Sequence, residues 1–173
     1  MLLGVSKMTE VKNSKINHNS LFEEITKLDE IEYRHSIIVI KNTFDAYPNK
    51  FLTYYDTDWN CDFFINYKTV DNMEKYIQKK VSNTLCVDPN KITVELKGEA
   101  IQRKFSYPYK KDKTYKHAYY LVYIDEFKDF EKEDSFIIDS KTYKWLSINE
   151  MKSNPNTVEK NLDVINKVDE LIV

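Results

Sequence analysis

Glycine is nearly missing from this chain: among 173 residues only Gly4 and Gly98 occur. A P-loop or a dinucleotide fingerprint needs several glycines so that backbone can approach phosphate closely, and both are excluded. Cysteine is scarce as well. Cys61 and Cys86 form no close metal-type pair and no disulfide framework, so they read as buried thiols of a reduced, cytoplasmic compartment. Long apolar runs are lacking. The longest aliphatic one, IIVI at 37–40, is far too short to cross a bilayer, and MLLGV at the start lacks the basic lead of a secretory signal. No excess of one sign exists either: 26 basic and 28 acidic side chains are mixed along the whole length, for a formal charge of −2. That balance argues against an extended nucleic-acid partner, as the apolar pattern argues against a membrane. Neither a Gly-x-Ser-x-Gly elbow nor a His-Glu-x-x-His pair is present.

What is present reads as alternating elements. Residues 1–31 are expected to be an N-terminal extension with one short helix, in which Ser20 and Glu23 make a capping box ahead of Leu21, Ile25 and Leu28. YRHSIIVIKN is apolar on both faces, as in a buried central strand. KFLTYYDTDW and CDFFIN read as two aromatic strands around an Asp-rich turn. KITVELKG alternates as a half-exposed strand, and EAIQRKFSYPY and TYKHAYYLVYIDEF flank KKDK as a hairpin. SFIIDSKTYKWL reads as a further strand, followed by a short helix capped by Ser147 and Glu150. Pro155 then breaks the chain, and Asn156 with Glu159 caps a last helix striped by Val158, Leu162, Ile165, Val168 and Ile172. Strands on both sides of one central helix imply an α+β chain, an α/β/α sandwich with a mixed sheet.

That central helix lies within YKTVDNMEKYIQKKVSNTLCV, residues 67–87. Asp71 and Glu74 fit a capping arrangement, Met73, Ile77, Val81 and Leu85 form an apolar stripe, and Asp88-Pro89 ends the helix. Taken alone it is a packing helix. In this element order, residues 32–173 resemble a Nudix domain, whose signature is Gly-x5-Glu-x7-Arg-Glu-aliphatic-x-Glu-Glu-x-Gly-aliphatic. Laid on the chain without gaps, the aliphatic positions fall on Val81 and Val87, and the first glutamate falls on Asp71. Arg-Glu falls on Lys79-Lys80, Glu-Glu on Asn83-Thr84, and the glycines on Ile65 and Cys86. Trp59 sits where the family often carries an aromatic, and YKWLSINEM resembles its late tryptophan-bearing strand and helix.

The resemblance implies a helix whose glutamates bind divalent cations that bridge a pyrophosphate, polarise phosphorus and activate water. Here two lysines reverse the local charge, so the expectation is a catalytically degenerate domain that needs no metal cofactor and binds or senses a nucleotide-derived phosphate ligand. Lys79 and Lys80 either meet that phosphate or solvate an exposed face. The segment RKFSYPYKKDKTYKHAYY interleaves Arg103, Tyr109, Tyr115 and His117 with lysines, a pattern suited to stacking a base or to building a hairpin. Ligand contacts are thus expected at Lys79, Lys80, Trp59, Arg103, Tyr109, Tyr115 and His117. Two alternatives remain open. One is an active, Mg²⁺-dependent pyrophosphohydrolase using the displaced carboxylates Asp71, Glu95 and Glu99. The other is a protein-interaction module or homodimer.

Overall fold

The computed structural model describes residues 31–44, 49–106 and 110–173. The helix expected at 20–28 lies outside these residues. Seven strands form one mixed sheet: β1 (Ile31–Ile40), β2 (Lys50–Asp56), β3 (Cys61–Lys68), β4 (Ile92–Ser106), β5 (Lys111–Ile124), β6 (Ser135–Ile138) and β7 (Lys141–Ser147). Their order is β4-β5-β1-β3-β2-β7-β6. Helix α1 (Met73–Leu85) follows β3, while α2 (Ile148–Ser153) and α3 (Pro155–Ile172) follow β7. Residues 34–100 and 117–173 make one compact unit; 101–106 and 110–116 belong with Tyr33 to a second.

The alternation of β1 explains the layering. Ile38 and Ile40 point into a core shared with Met73, Ile77, Val81 and Leu85 of α1. Ile37 and Val39 point into a second core with Ile148 and Met151 of α2 and Val164, Ile165 and Val168 of α3. An IIVI run fits a strand covered on both faces, and the α/β/α sandwich follows. All four stripe residues of α1 are buried, each worth roughly 1.5–3 kcal/mol against exposure.

Helix ends depart from the sequence reading in two places. The N-cap of α1 is Asn72 in the left-handed region, with no side-chain cap hydrogen bond, so the Asp71–Glu74 box does not form. Pro155 starts α3 instead of interrupting the chain. It occupies the first turn, where its missing N–H costs nothing, and Asn154 accepts from the amides of Asn156 and Thr157. The buried face of α3 accordingly runs through Thr157, Asn161, Val164, Ile165 and Val168, leaving Leu162 exposed. The Ser147–Glu150 box does form.

SFIIDSKTYKWL is a hairpin and not one strand. Asp139 and Ser140 take φ of 47° and 66°, the two positive values of a type I′ turn, with no glycine to announce it. The other hairpin tip also shifts: β5 already begins at Lys111, so KKDK is mostly strand. No helix among the described residues is long and apolar enough to cross a membrane.

Candidate functional site

Helix α1 presents two polar flanks of opposite character. The first faces β4, where Gln78 Nε2 donates to the Ile92 carbonyl at 2.9 Å. Strand β4 changes face partway along. Ile92 and Val94 pack toward α1, whereas Gly98 lies against Leu171 of α3 and Ala100 packs in the α2/α3 core. All four have even numbers, so the alternation slips by one residue between Val94 and Gly98, as at a β-bulge. The slip turns Glu99 toward α1. There it acts with Glu74, from the first turn of α1, on the hydroxyl of Tyr120. That hydroxyl is pushed up by burial first and then by these two negative charges.

The opposite flank carries Tyr76, Lys80 and Thr84, one helical turn apart, over β3, β2 and β7. Tyr67 meets Tyr76 edge-to-face at 5.7 Å between ring centres. Its hydroxyl hydrogen-bonds the Thr84 side chain, and burial pushes it up to about 12, with Tyr143 and Tyr76 adding to the rise. Tyr143 stands directly across from Tyr54 in the β2–β7 ladder. Both are raised, chiefly by burial; Tyr54 is held back by a hydrogen bond with Asn66, and Tyr143 is raised further by Asp139. Lys80 Nζ lies 5.5 Å above the Tyr76 ring and Lys141 Nζ 5.1 Å above the Tyr54 ring. The result is a row, Lys80–Tyr76–Tyr67–Tyr143–Tyr54–Lys141. The raised hydroxyls of Tyr67, Tyr143 and Tyr54 stay protonated near neutral pH and offer donors and acceptors, and a cation stands at each end.

The residues singled out in the sequence divide between these flanks and elsewhere. Lys80 and Glu99 fall on the two flanks, Lys79 is exposed beside Lys80, and Asp71 is exposed just ahead of α1. Glu95 does not join Glu99. It pairs with Lys97 at 2.6 Å, and Lys97 in turn senses Tyr123, which alternates with the α1-facing Tyr120 and Val122 on β5. The slip thus puts the two glutamates on opposite faces. Trp59 occupies the β2–β3 turn, edge-on to Phe63, and Asn156 Nδ2 ties that turn to the start of α3 through the Asn60 carbonyl at 3.2 Å. His117 is buried edge-to-face against Tyr119. In the second unit, Arg103 reaches Asp112 at 3.6 Å and Tyr115 stacks on Tyr33 with ring centres 5.3 Å apart. Tyr109 lies outside the described residues. Glu74 was legible only as a cap. Tyr54, Tyr67, Tyr143 and Lys141 converge through strand pairing that no local pattern encodes.

Neither flank offers a dense carboxylate set. Among the described residues no group of three or more His, Cys, Asp or Glu could hold a metal ion. The lysine of the tyrosine flank would oppose a cation there.

No family model matches the sequence, and no curated protein matches it. Solved structures do share its architecture. An Escherichia coli dihydroneopterin triphosphate pyrophosphohydrolase is 10% identical with TM-score 0.55, over 82% of this chain and 97% of that one. The NUDIX domain of Shewanella oneidensis NrtR, complexed with ADP ribose, is 10% identical with TM-score 0.53, over 91% and 100%. A C. elegans Ap4A hydrolase binary complex is 9% identical with TM-score 0.53, over 80% and 96%. At such identities the likeness shows the fold, and this chain has an α+β, Nudix-like fold.

Proposed function

We propose that the chain binds a nucleotide-derived phosphate ligand along the tyrosine row and does so without metal-dependent hydrolysis. The observation that carries this reading is the placement of Lys80 and Thr84. On this helix the Nudix signature would put carboxylates, and here Thr84 is engaged by the Tyr67 hydroxyl while Lys80 lies over Tyr76. Divalent cations need oxygen ligands, and a lysine at that position repels them. Phosphate oxygens gain charge-assisted hydrogen bonds from the same group, and a base or ribose finds aromatic rings and hydroxyls beside it. The named ligands of similarly folded proteins, ADP ribose among them, set the panel to try.

The test is a thermal-shift screen of nucleoside di- and triphosphates and nucleoside-diphosphate-linked compounds, in Mg²⁺ and then in excess chelator. A ligand at about 100 times its Kd stabilises the folded state by about 2.7 kcal/mol. The expected shift survives chelation and is lost in Lys80→Glu. A second reading rests on the other flank, where Glu74 and Glu99 both act on Tyr120. Hydrolysis there requires metal, consumes the nucleotide and stops in Glu99→Gln. That outcome would overturn the binding-only reading.

A further inference from the structure

Strand β6 ends the sheet, and its outer backbone edge is exposed in a defined way. The Trp145 amide donates to the Asp134 carbonyl at 3.1 Å. Phe136 pairs with Tyr143 and Ile138 with Lys141. Bonded pairs alternate along an antiparallel ladder, so residues 134, 136 and 138 spend their backbone groups on β7, whereas Ser135 and Ile137 turn theirs outward. No further strand flanks β6 among the described residues. Ile137 is 68% exposed, while Phe130, edge-on to the inward-facing Phe136, lies toward the opposite face of the strand. Along the edge on either side of Ile137 stand the exposed residues Glu133, Asp134 and Asp139. The nearby cations are turned elsewhere: Lys132 toward Asp129 at 3.0 Å, Lys128 over the Phe130 ring and Lys141 over Tyr54. Lys50 reaches Asp134 only at 3.4 Å, and that carboxylate stays 91% exposed.

The geometry points to β6 as a docking edge for an extended, basic segment of another protein, added as an eighth strand. Its backbone would exchange two hydrogen bonds with Ile137, and an apolar side chain at that point would cover Ile137. In an antiparallel addition, a lysine or arginine two residues before that point would meet Asp139 and one four residues after it would meet Glu133. A second copy of this chain fits poorly. A two-fold pairing centred on Ile137 sets Ser135 against Asp139 of the partner subunit and crowds three carboxylates from each copy along one short edge, where like charges repel. Acidic flanks are also how proteins keep an edge from self-pairing, and the same charges select a basic strand.

A direct probe is the N-acetylated, C-amidated octapeptide Thr-Lys-Thr-Val-Thr-Lys-Thr-Lys, labelled for anisotropy and titrated into the full chain; with its valine opposite Ile137 in an antiparallel pairing, its lysines share that face. Hydrogen exchange would be read in parallel at residues 135–138. The expected result is saturable, salt-sensitive binding with slowed exchange of the Ile137 amide. Ile137→Pro removes the outward N–H at an edge position that tolerates proline, so the fold persists while binding is lost. The double change E133K/D139K weakens the lysine peptide at least about tenfold and creates affinity for the same peptide with glutamate in place of each lysine. Absence of binding, binding indifferent to both variants, or protection elsewhere in the chain would overturn the proposal. Sedimentation of the chain alone as a dimer that Ile137→Pro dissociates would assign the edge to a second copy instead.

Discussion

Replacing Glu131 by glutamine should stabilise this protein at neutral pH. Glu131 is fully buried in the short 3-10 turn Asp129–Lys132. One carboxyl oxygen accepts from the Lys128 amide at 2.8 Å; the other has no hydrogen-bond partner. Its own carbonyl receives the Trp145 indole N–H at 2.7 Å, beside the edge-to-face set Phe44, Phe127 and Trp145. Burial pushes the carboxyl above its ordinary 4.5, against the pull of the Lys128 amide and charge. A group whose folded value is raised holds more protons folded than unfolded. Its contribution is therefore fully present below about 4.5 and is lost as pH rises through the folded value. Glutamine keeps an acceptor for the Lys128 amide and carries no charge. A buried charge costs more than a buried neutral amide of the same shape, so E131Q should be the more stable at pH 7, by on the order of 1.4 kcal/mol for each pH unit by which burial raises the carboxyl. In a domain of this size each kcal/mol moves Tm by about 2–4 °C. E131A, by contrast, orphans the Lys128 amide and should destabilise by about 1–3 kcal/mol. The assay is thermal unfolding followed by Trp145 fluorescence in a Trp59→Phe background, from pH 4 to 8, reading the difference between E131Q and its parent. That difference should grow with pH. A difference that shrinks with pH, or an E131Q less stable than its parent at pH 7, would refute the reasoning and mean that the carboxylate form is the one the fold holds.

Two further outcomes follow from packing and thiol chemistry. A Cβ at Gly98 would stand 3.1 Å from Leu171 Cδ1, so Gly98→Val should cost roughly 1–3 kcal/mol in denaturant unfolding, and distinctly less when Leu171→Ala has already made room. Additive losses in that double-mutant cycle would contradict the assigned β4 face. Cys61 is buried and its thiol is pushed up to about 11, by burial and then by Asp56 and Asp62, whereas Cys86 is exposed. A disulfide reagent at pH 8 should label Cys86 alone in the folded protein, and both thiols after denaturation.

Much of this architecture was legible in the sequence because period carries it. The four-residue stripe of α1 and the doubly apolar IIVI run each dictate what they bury, and together they fix the layers. The β6–β7 turn escaped notice because Asp139-Ser140 adopts a glycine-type conformation without glycine. Glu99 was visible as a residue, yet its face was not, since one slipped residue in β4 reverses every side chain beyond it. The tyrosine row was least legible. Tyr54, Tyr67, Tyr76 and Tyr143 come from four elements, and only the strand order places them side by side.

The left-handed turns bear on how this chain is held folded. Asn60, Asn72, Cys86, Lys110, Asp139 and Ser140 all have positive φ, and Gly98 does not. Cys86, Lys110 and Ser140 carry a native-state strain that glycine would avoid, on the order of 1–2 kcal/mol, and Asn60, Asn72 and Asp139 a smaller one. The compensation lies in the denatured ensemble, where a chain so poor in glycine has fewer backbone states to lose on folding. Glycine introduced at Cys86 or Ser140 would relax the turn and loosen the unfolded chain together, so its effect on stability reports which of the two states it favours more. Part of what keeps this protein folded is then a property of the chain before it folds.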